Sequence, residues 1–213
     1  MVKALILDLD GTLVDSHKAH IKSYKEVFNK KALNEFDVKK LKSLFGKVAE
    51  DIISELFPSL SEKEVDELVL GKREAFLKAI DKVVKVPCVD KFLRRAFNDY
   101  SLAVATSSSN LEMNALVDRF GWSDYFKVLM SGYDVSRPKP APDLLLMVIK
   151  ELGLKKDDCV FIGDSIYDAL SARSAGVSFI GVRTGSYSKK DFDEQGFKSF
   201  KDLCELLSFK VLF

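Results

Sequence analysis

The chain has 213 residues and 47% of them are hydrophobic, which supplies enough apolar side chains for a folded core and argues against a disordered protein. Its 33 basic and 32 acidic residues leave a net charge of +1, so the chain as a whole lacks the basic character of nucleic-acid-binding proteins. Any anion must therefore be bound by a local site, because the overall charge offers no attraction.

The cysteines and the apolar runs indicate where such a protein would work. Cys88, Cys159 and Cys204 are odd in number and widely spaced, so we predict neither a disulfide framework nor a zinc site, and a reducing compartment. The apolar run before Asp8 is too short for a signal peptide, and residues 144–149 are too few to cross a bilayer. We therefore expect a soluble, cytoplasmic protein without membrane or nucleic-acid partners.

The predicted elements begin with a strand and continue with helices. Lys3–Asp10 is typical of a short buried strand, and it ends in acids that are followed by Gly11. Residues 16–84 then show helical spacing and no convincing strand. The predicted helices of this segment are His17–Lys31, Val48–Phe57 and a helix that follows the capping box Ser61–Glu64.

From Val86 onward, predicted strands alternate with predicted helices. The strands are Ser101–Ala105, Val128–Met130, Cys159–Ile162 and Val177–Val182. The helices are Lys91–Phe97, Asn110–Phe120, Pro142–Leu152, Ile166–Ala175 and Phe200–Leu207. This alternation predicts an α/β fold with a doubly wound, mostly parallel sheet. We expect a Rossmann-like core of residues 1–15 and 85–213, with residues 16–84 inserted after the first strand as an all-helical cap.

Polar residues gather where the predicted strands end, which is the edge at which open parallel sheets bind ligands. They are Asp8 and Asp10 after the first strand, Thr106 and Ser107 after the second, Lys139 in the loop after the third, and Asp164 after the fourth. Three acids, one lysine and a cluster of hydroxyls suit a divalent cation together with a phosphate.

The spacing of the two front acids supports a metal. Asp8 and Asp10 lie two residues apart, so both side chains face the same side of an extended strand and repel each other unless a cation lies between them. Mg²⁺ prefers oxygen ligands and usually takes one or two carboxylates, which Asp8 and Asp164 could supply. Gly11 allows a sharp turn that brings backbone amides close to a phosphate.

Each of these pieces also has an ordinary explanation. The acids with Gly11 could form a surface turn, Asp164 could belong to a plain helix cap, and Lys139 could be a solvated lysine. The joint arrangement of all of them at strand ends of one sheet is what favours a functional site.

At this point the sequence resembles the haloacid dehalogenase superfamily, in particular its phosphatases with a small helical cap and their phosphoglycolate phosphatase-like and beta-phosphoglucomutase-like members. The resemblance covers the whole chain. The matching pieces are Asp8-Leu9-Asp10-Gly11-Thr12-Leu13, Ala105-Thr106-Ser107, Lys139 in Arg-Pro-Lys-Pro, and Gly163-Asp164-Ser165-Ile166-Tyr167-Asp168.

The resemblance implies a Mg²⁺-dependent phosphatase that acts on a small phosphorylated metabolite. Asp8 would attack phosphorus and become an aspartyl phosphate, while Asp10 would protonate the leaving oxygen and later activate water. Thr106 and Lys139 would stabilise the transferring phosphoryl group. The implied metal ligands are Asp8, Asp164 and the backbone carbonyl of Asp10, and the implied phosphate-binding residues are Thr106, Ser107, Lys139 and Gly11. Asp168 would orient Lys139 or a metal-bound water.

The resemblance also points to the loop Phe45–Glu50 as a candidate for substrate selection. Lys47 could meet a second anion on the substrate, or it could simply be solvated. His20 matches a mutase histidine thought to influence Asp10, although a histidine on a lysine-rich helix is more often a surface residue. The family's sugar-phosphate mutases carry an arginine in this loop where this sequence has Ala49, which disfavours a mutase.

Two alternatives remain. One is phosphoryl transfer of the beta-phosphoglucomutase kind, and the other is a phospho-accepting signalling module, which would be shorter and would lack the helical insert. Phosphoglycolate or a sugar phosphate are the leading substrate candidates. We expect a monomer or a small homo-oligomer.

Overall fold

The computed structural model describes residues 2–33, 35–208 and 212, and a parallel sheet forms its centre. Numbered along the chain, the strands of these residues are β1 (Ala4–Leu7), β2 (Val14–Asp15), β3 (Val84–Lys85), β4 (Ser101–Thr106), β5 (Phe126–Ser131), β6 (Cys159–Gly163), β7 (Ser178–Val182) and β8 (Ser199–Phe200). Six of them form one sheet in the order β5-β4-β1-β6-β7-β8, and each neighbouring pair is parallel.

The α-helices of the same residues account for most of the remaining regular structure. They are α1 (His17–Lys30), α2 (Val38–Ser43), α3 (Ala49–Leu56), α4 (Glu62–Lys78), α5 (Val89–Asp99), α6 (Asn110–Phe120), α7 (Asp143–Glu151), α8 (Ile166–Ala175), α9 (Lys189–Glu194) and α10 (Leu203–Ser208). Short 3₁₀ turns lie at 80–82, 123–125, 132–134 and 156–158. In the described part of the chain, none of the helices has the length and apolar character that crossing a membrane requires.

The alternation of side chains along β1 explains why helices cover both faces of the sheet. Leu5 and Leu7 belong to a core cluster with Phe92 of α5 and Leu116 of α6. Ala4 and Ile6 point to the other face, into a second cluster with residues of α7 and α8. The prediction of a doubly wound α/β fold is therefore confirmed.

The direction of the chain reverses at the centre of this sheet. After β1 the chain builds β4 and β5 on one side, and it then crosses to β6, β7 and β8 on the other. A crevice opens at such a switch point, outside the carboxyl ends of the two central strands. Asp8 directly follows β1 and Asp164 directly follows β6, so both acids lie at this crevice.

Residues between β2 and β3 form a helical segment with a hydrophobic cluster of its own. The buried members of that cluster all lie between Tyr24 and Val69. The segment leaves and rejoins the rest of the chain through a short antiparallel ribbon in which Val14 pairs with Lys85 and Asp15 with Val84. The ribbon was not predicted, because two residues per strand are too few to show a periodic pattern.

The C-terminal part differs from its prediction in the start of its last helix and in elements that were not predicted. The last helix starts at Leu203, whereas the prediction placed its start at Phe200. Phe200 instead belongs to β8, where it pairs with Val182 and is buried in the core. The short helices α2 and α9 were not predicted, because six residues carry little periodic signal.

The expectation that the cysteines form no disulfide was wrong, because Cys88 and Cys204 are joined. They are 116 residues apart in sequence, so spacing offered no signal, but α5 and α10 pack together and bring their Cα atoms to 5.3 Å. The argument from cysteine spacing for a reducing compartment is thereby lost. Cys159 is the free, buried cysteine among the described residues.

This disulfide predicts that reduction destabilises the protein. Closing so long a loop restricts the unfolded chain, which typically contributes about 2–5 kcal/mol to stability. We expect dithiothreitol to lower the melting temperature of the wild type measured by calorimetry. The double variant Cys88→Ser/Cys204→Ser should melt at that lower temperature with or without reductant. Equal melting of the reduced and oxidised wild type would contradict the assignment.

Candidate active site

A fully buried lysine lies at the centre of the crevice. The ammonium of Lys139 donates to Asp8 Oδ1 at 2.7 Å, to Asp168 Oδ1 at 2.7 Å and to the carbonyl of Ala105 at 2.9 Å. The side chain of Lys139 has no solvent exposure, so its charge is stable there only because these acceptors surround it. The loop that carries Lys139 thus reaches residues that follow β1 and β6 and the end of β4.

Asp164 extends this group into a cluster of buried acids. Ligand oxygens of Asp8, Asp164 and Asp168 lie within 4.8 Å of one another. Both oxygens of Asp168 are already bonded, one to Lys139 and the other to the amide and hydroxyl of Ser165. Asp8 and Asp164 are therefore the carboxylates best placed to hold a cation, while Asp168 positions Lys139.

The charge balance of this cluster suits a divalent cation. Three carboxylates face a single ammonium, and both acids proposed as ligands are buried. Burial, together with the like charges of Asp168 and Asp10, raises the pKa of Asp8 to about 8, although Lys139 opposes the shift. Burial and the neighbouring Asp8 also raise the pKa of Asp164. A cation between them would relieve this repulsion, and hard oxygen donors are the ligands that Mg²⁺ prefers.

Asp10 has a different environment, although it lies only two residues from Asp8. Its carboxylate accepts hydrogen bonds from the hydroxyls of Ser16 at 2.5 Å and Ser108 at 2.6 Å, and it lies 3.0 Å from His20 Nε2. Burial works against ionisation, but His20 and these hydroxyls hold the pKa of Asp10 well below its usual range. The side chain of Asp10 is not part of the acid cluster. The prediction that its backbone carbonyl binds the metal therefore stays a prediction.

The other predicted residues divide between the crevice and the helical segment. Thr106 is buried and lines the same cavity as Asp8. The hydroxyl of Ser107 donates to the carbonyl of Gly46 at 2.6 Å, so it bridges the sheet to the loop of the helical segment. Gly11 has a φ of 81°, and a Cβ there would come within 2.2 Å of Asp164. Gly11 is therefore needed for close packing against this acid as well as for the turn.

The two candidate specificity residues have partners within the protein. Lys47 bonds Glu55 at 2.5 Å and lies over the ring of Tyr167, so it is not simply a solvated lysine. His20 is only 8% exposed and stacks on Phe76 at a centroid distance of 4.2 Å. The surface alternative for His20 is thus wrong, and its contact with Asp10 is the one the family resemblance implied.

Several residues of the site were not predicted. Ser16 and Ser108 bond Asp10, and Thr12 donates to Asp164 at 3.1 Å. Gly185 lies in the loop after β7, and a Cβ there would come within 1.6 Å of Asp164. The available signal for Gly185 was its place in the loop after the last long predicted strand. No role was predicted for Ser16 or Ser108, because serine is common in loops and caps.

Comparisons with known proteins agree with this architecture. The family model described as haloacid dehalogenase-like hydrolase matches residues 5–182. Fructose-1-phosphate phosphatase YqaB of Escherichia coli is 30% identical over 186 residues, which cover 84% of this chain and 95% of that protein. Phosphoglycolate phosphatase of Yersinia pestis is 28% identical over 190 residues, which cover 86% and 82% of the two chains.

A solved structure gives the same result for the fold. The crystal structure of a hydrolase from Pseudomonas syringae superimposes with a TM-score of 0.90 at 23% identity, covering 98% of this chain and 97% of that one. At this identity the likeness establishes the fold alone. With the family model covering most of the chain, the predicted resemblance is confirmed, and the protein belongs to the haloacid dehalogenase-like hydrolase family.

Proposed function

We propose that this protein is a Mg²⁺-dependent phosphomonoester hydrolase that forms an aspartyl phosphate on Asp8. The observation that carries the proposal is the contact of the buried Lys139 with Asp8, beside a second buried acid, Asp164. A nucleophile, a fixed positive charge and a cation-binding pair of carboxylates are the groups that phosphoryl transfer requires. The names of relatives that act on fructose 1-phosphate and phosphoglycolate support a small phosphorylated metabolite as substrate.

The first half of the reaction transfers the phosphoryl group to the protein. A carboxylate oxygen of Asp8 bonds to phosphorus while the bond from phosphorus to the leaving oxygen breaks. Lys139 and the hydroxyl of Thr106 stabilise the phosphoryl oxygens, and amides near Gly11 add further donors. Ser107 would join them after its hydroxyl leaves the carbonyl of Gly46.

The proposed metal site consists of Asp8, Asp164 and the carbonyl of Asp10. Bound there, Mg²⁺ would offset the negative charge of the phosphoryl group as it approaches the acids. Thr12 holds Asp164 in place through its hydroxyl, and Asp168 does the same for Lys139. These residues therefore fix the two positive charges that face the substrate.

Asp10 would exchange protons with the reacting oxygens. It protonates the leaving oxygen in the first half and takes a proton from water in the second, when the water oxygen bonds to phosphorus and the bond to Asp8 breaks. Although burial opposes it, His20 and the hydroxyls of Ser16 and Ser108 hold the pKa of Asp10 low, which favours its ionised form. We infer that the proton is shared with His20, 3.0 Å away, so that His20 positions and supplies Asp10.

The helical segment of residues 16–84 would act as a cap over this chemistry. Its loop contacts the sheet edge through Gly46 and Ser107, and the β2–β3 ribbon is its connection to the core. Opening at the ribbon would admit substrate, and closing would exclude water from the phosphoenzyme. The cytoplasm, where phosphorylated metabolites occur, is the location we propose.

The mutase alternative has less support from the geometry. Ala49 begins α3 and lines the cavity, so the loop offers no arginine at this position to hold a second phosphate. We therefore propose transfer of the phosphoryl group to water.

Substitution of the two front acids tests the mechanism. Asp8→Asn removes the nucleophile, so no phosphoenzyme should form. Asp10→Asn keeps the nucleophile but removes the base that activates water, so with an aryl phosphate, whose leaving group scarcely needs a proton, the aspartyl phosphate should accumulate. Intact-protein mass spectrometry after acid quench should detect a mass gain of one phosphoryl group in Asp10→Asn alone. The same gain in Asp8→Asn would refute the assignment.

The metal site is tested by a glycine whose added Cβ would lie nearest to a proposed ligand, Asp164. In Gly185→Ala, the new Cβ would displace Asp164, so we expect the Mg²⁺ concentration for half-maximal activity to rise by about 10–100-fold. Gly121→Ala is the control, because a Cβ there meets no atom within 4 Å. Its φ of 67° makes alanine unfavourable, so the variant should lose some stability but keep the Mg²⁺ dependence unchanged. Full activity of the wild type after exhaustive EDTA treatment would contradict the metal requirement.

A further inference from the structure

The cavity that contains Asp8 is also lined by residues of the helical segment, and its lining includes a buried ion pair. Lys72 of α4 donates to Glu112 Oε1 of α6 at 2.7 Å, and both side chains are almost completely buried. Both residues line the cavity, together with Tyr24 and Tyr133. The pair therefore joins the helical segment to the core on the wall of the cavity that also holds Asp8, and we place the leaving group of a substrate beside it.

Glu112 is fixed more firmly than an ordinary salt-bridge partner. Its second oxygen, Oε2, accepts from the amide of Ser109 at 3.0 Å and from the Ser109 hydroxyl at 2.8 Å, so Glu112 completes the capping box of α6. It cannot turn to solvent without breaking this cap. A substrate anion that attracted Lys72 would leave Glu112 as a buried charge with a weakened partner, which is strongly unfavourable.

The other ammonium group on the cavity wall is also neutralised by the protein. Among the described residues that line the cavity, the lysines are Lys47 and Lys72. Lys47 bonds Glu55 at 2.5 Å, with its side chain 19% exposed. The two histidines on the wall lie by the acids of the reaction centre, His20 at 3.0 Å from Asp10 and His17 at 4.0 Å from Asp164.

A third ion pair contacts Tyr133, a residue of the cavity lining. Arg73 bonds Glu50 at 3.2 Å and lies 4.2 Å from the ring centroid of Tyr133. The hydroxyl of Tyr133 donates to the same glutamate. Lys47, Lys72 and Arg73 are thus each paired with a carboxylate. The other polar groups of the lining include hydroxyls without charge, on Tyr24, Tyr133, Ser107 and Ser108.

From this arrangement we infer that the substrate is a monophosphate whose leaving group is uncharged and carries hydroxyls, as in a phosphorylated polyol or sugar. The inference rests on the proposed function and narrows it. A leaving group with a carboxylate or a second phosphate would meet no lysine without a carboxylate partner among the described residues of the cavity lining, and it would lie near Glu112. Phosphoglycolate and bisphosphates are therefore poor substrates for this chain, although some of its relatives are named for phosphoglycolate.

A matched pair of substrates tests the inference. Phosphoglycolate and 2-hydroxyethyl phosphate differ only in whether the leaving group ends in a carboxylate or a hydroxymethyl group. With Mg²⁺ present, we expect kcat/KM for 2-hydroxyethyl phosphate to exceed that for phosphoglycolate by about tenfold or more, because a stranded buried charge is costly. Fructose 1-phosphate should likewise exceed fructose 1,6-bisphosphate. A preference for the charged member of either pair would overturn the inference.

An aryl phosphate assay in parallel separates this inference from the proposed function. Mg²⁺-dependent hydrolysis of p-nitrophenyl phosphate alongside a preference for phosphoglycolate would sink the inference and leave the hydrolase intact. Absence of hydrolysis of every phosphomonoester would overturn the proposed function and the inference together.

Variants that release one lysine provide the mechanistic test. Glu112→Gln keeps an acceptor for the α6 cap but frees Lys72, so the ratio of kcat/KM for phosphoglycolate to that for 2-hydroxyethyl phosphate should rise by about tenfold. Glu55→Gln frees Lys47 at a partly exposed position where folding is not at risk, and should raise the ratio by a smaller factor. Glu67→Gln breaks an exposed ion pair with Lys31 elsewhere in the helical segment, and it should leave the ratio of the two kcat/KM values unchanged. An unchanged ratio in both Glu112→Gln and Glu55→Gln would overturn the inference.

Discussion

The buried ammonium of Lys139 is the constraint on which the arrangement of the crevice depends. A charge without solvent is tolerated only when acceptors surround it, so the loop that carries Lys139, the end of β4 and the acids after β1 and β6 must stay in register. The parallel sheet brings these strand ends to a common edge, and the pairing of β1 with both β4 and β6 fixes their spacing. Lys139 thus links the topology of the core to the position of the proposed nucleophile.

The buried acids around Lys139 determine where the backbone can approach the crevice. Asp8, Asp164 and Asp168 are buried together, and the backbone approaches them at glycines where a side chain would not fit. Gly11 and Gly185 lie against Asp164, and Gly163 lies against Asp168. Asp10, by contrast, is surrounded by hydroxyls and His20. Two acids of one short motif therefore have opposite pKa shifts. In the proposed mechanism, a bound cation would favour the ionised form of Asp8 for attack, and His20 would share a proton with Asp10.

Lysines of the helical segment are also neutralised by neighbouring carboxylates. Lys72 and Glu112 neutralise each other where the cap meets the core, and Lys47 is neutralised by Glu55. The reaction centre is left with excess negative charge that a cation would balance, whereas the charges of Lys72 and Lys47 are balanced by the protein itself. Under the proposed function, a divalent cation and a phosphate would occupy the reaction centre, and a neutral leaving group would suit the part of the cavity lined by Lys72 and Glu112.

The core of the fold and several residues of the crevice could be predicted from the sequence, because the patterns that indicate them lie within short segments. Asp8, Asp164 and Lys139 were placed by the rule that strand ends of a parallel sheet share one edge, and the helices of the core showed clear periodicity. The disulfide, the β2–β3 ribbon and the partners of Asp10 depend on contacts between distant residues. His20 illustrates the limit, since helical spacing gives no indication that Phe76 would cover it or that Asp10 would lie beside it.

A crystal structure of the wild type grown with Mg²⁺ and beryllium fluoride would test the central claim most directly, because this compound mimics a phosphoryl group on a carboxylate. The account predicts beryllium bonded to a carboxylate oxygen of Asp8, fluorides within hydrogen-bonding distance of Lys139 and Thr106, and Mg²⁺ held by Asp8 and Asp164. Beryllium bonded to Asp10, or bound Mg²⁺ with Asp8 left unmodified, would contradict it.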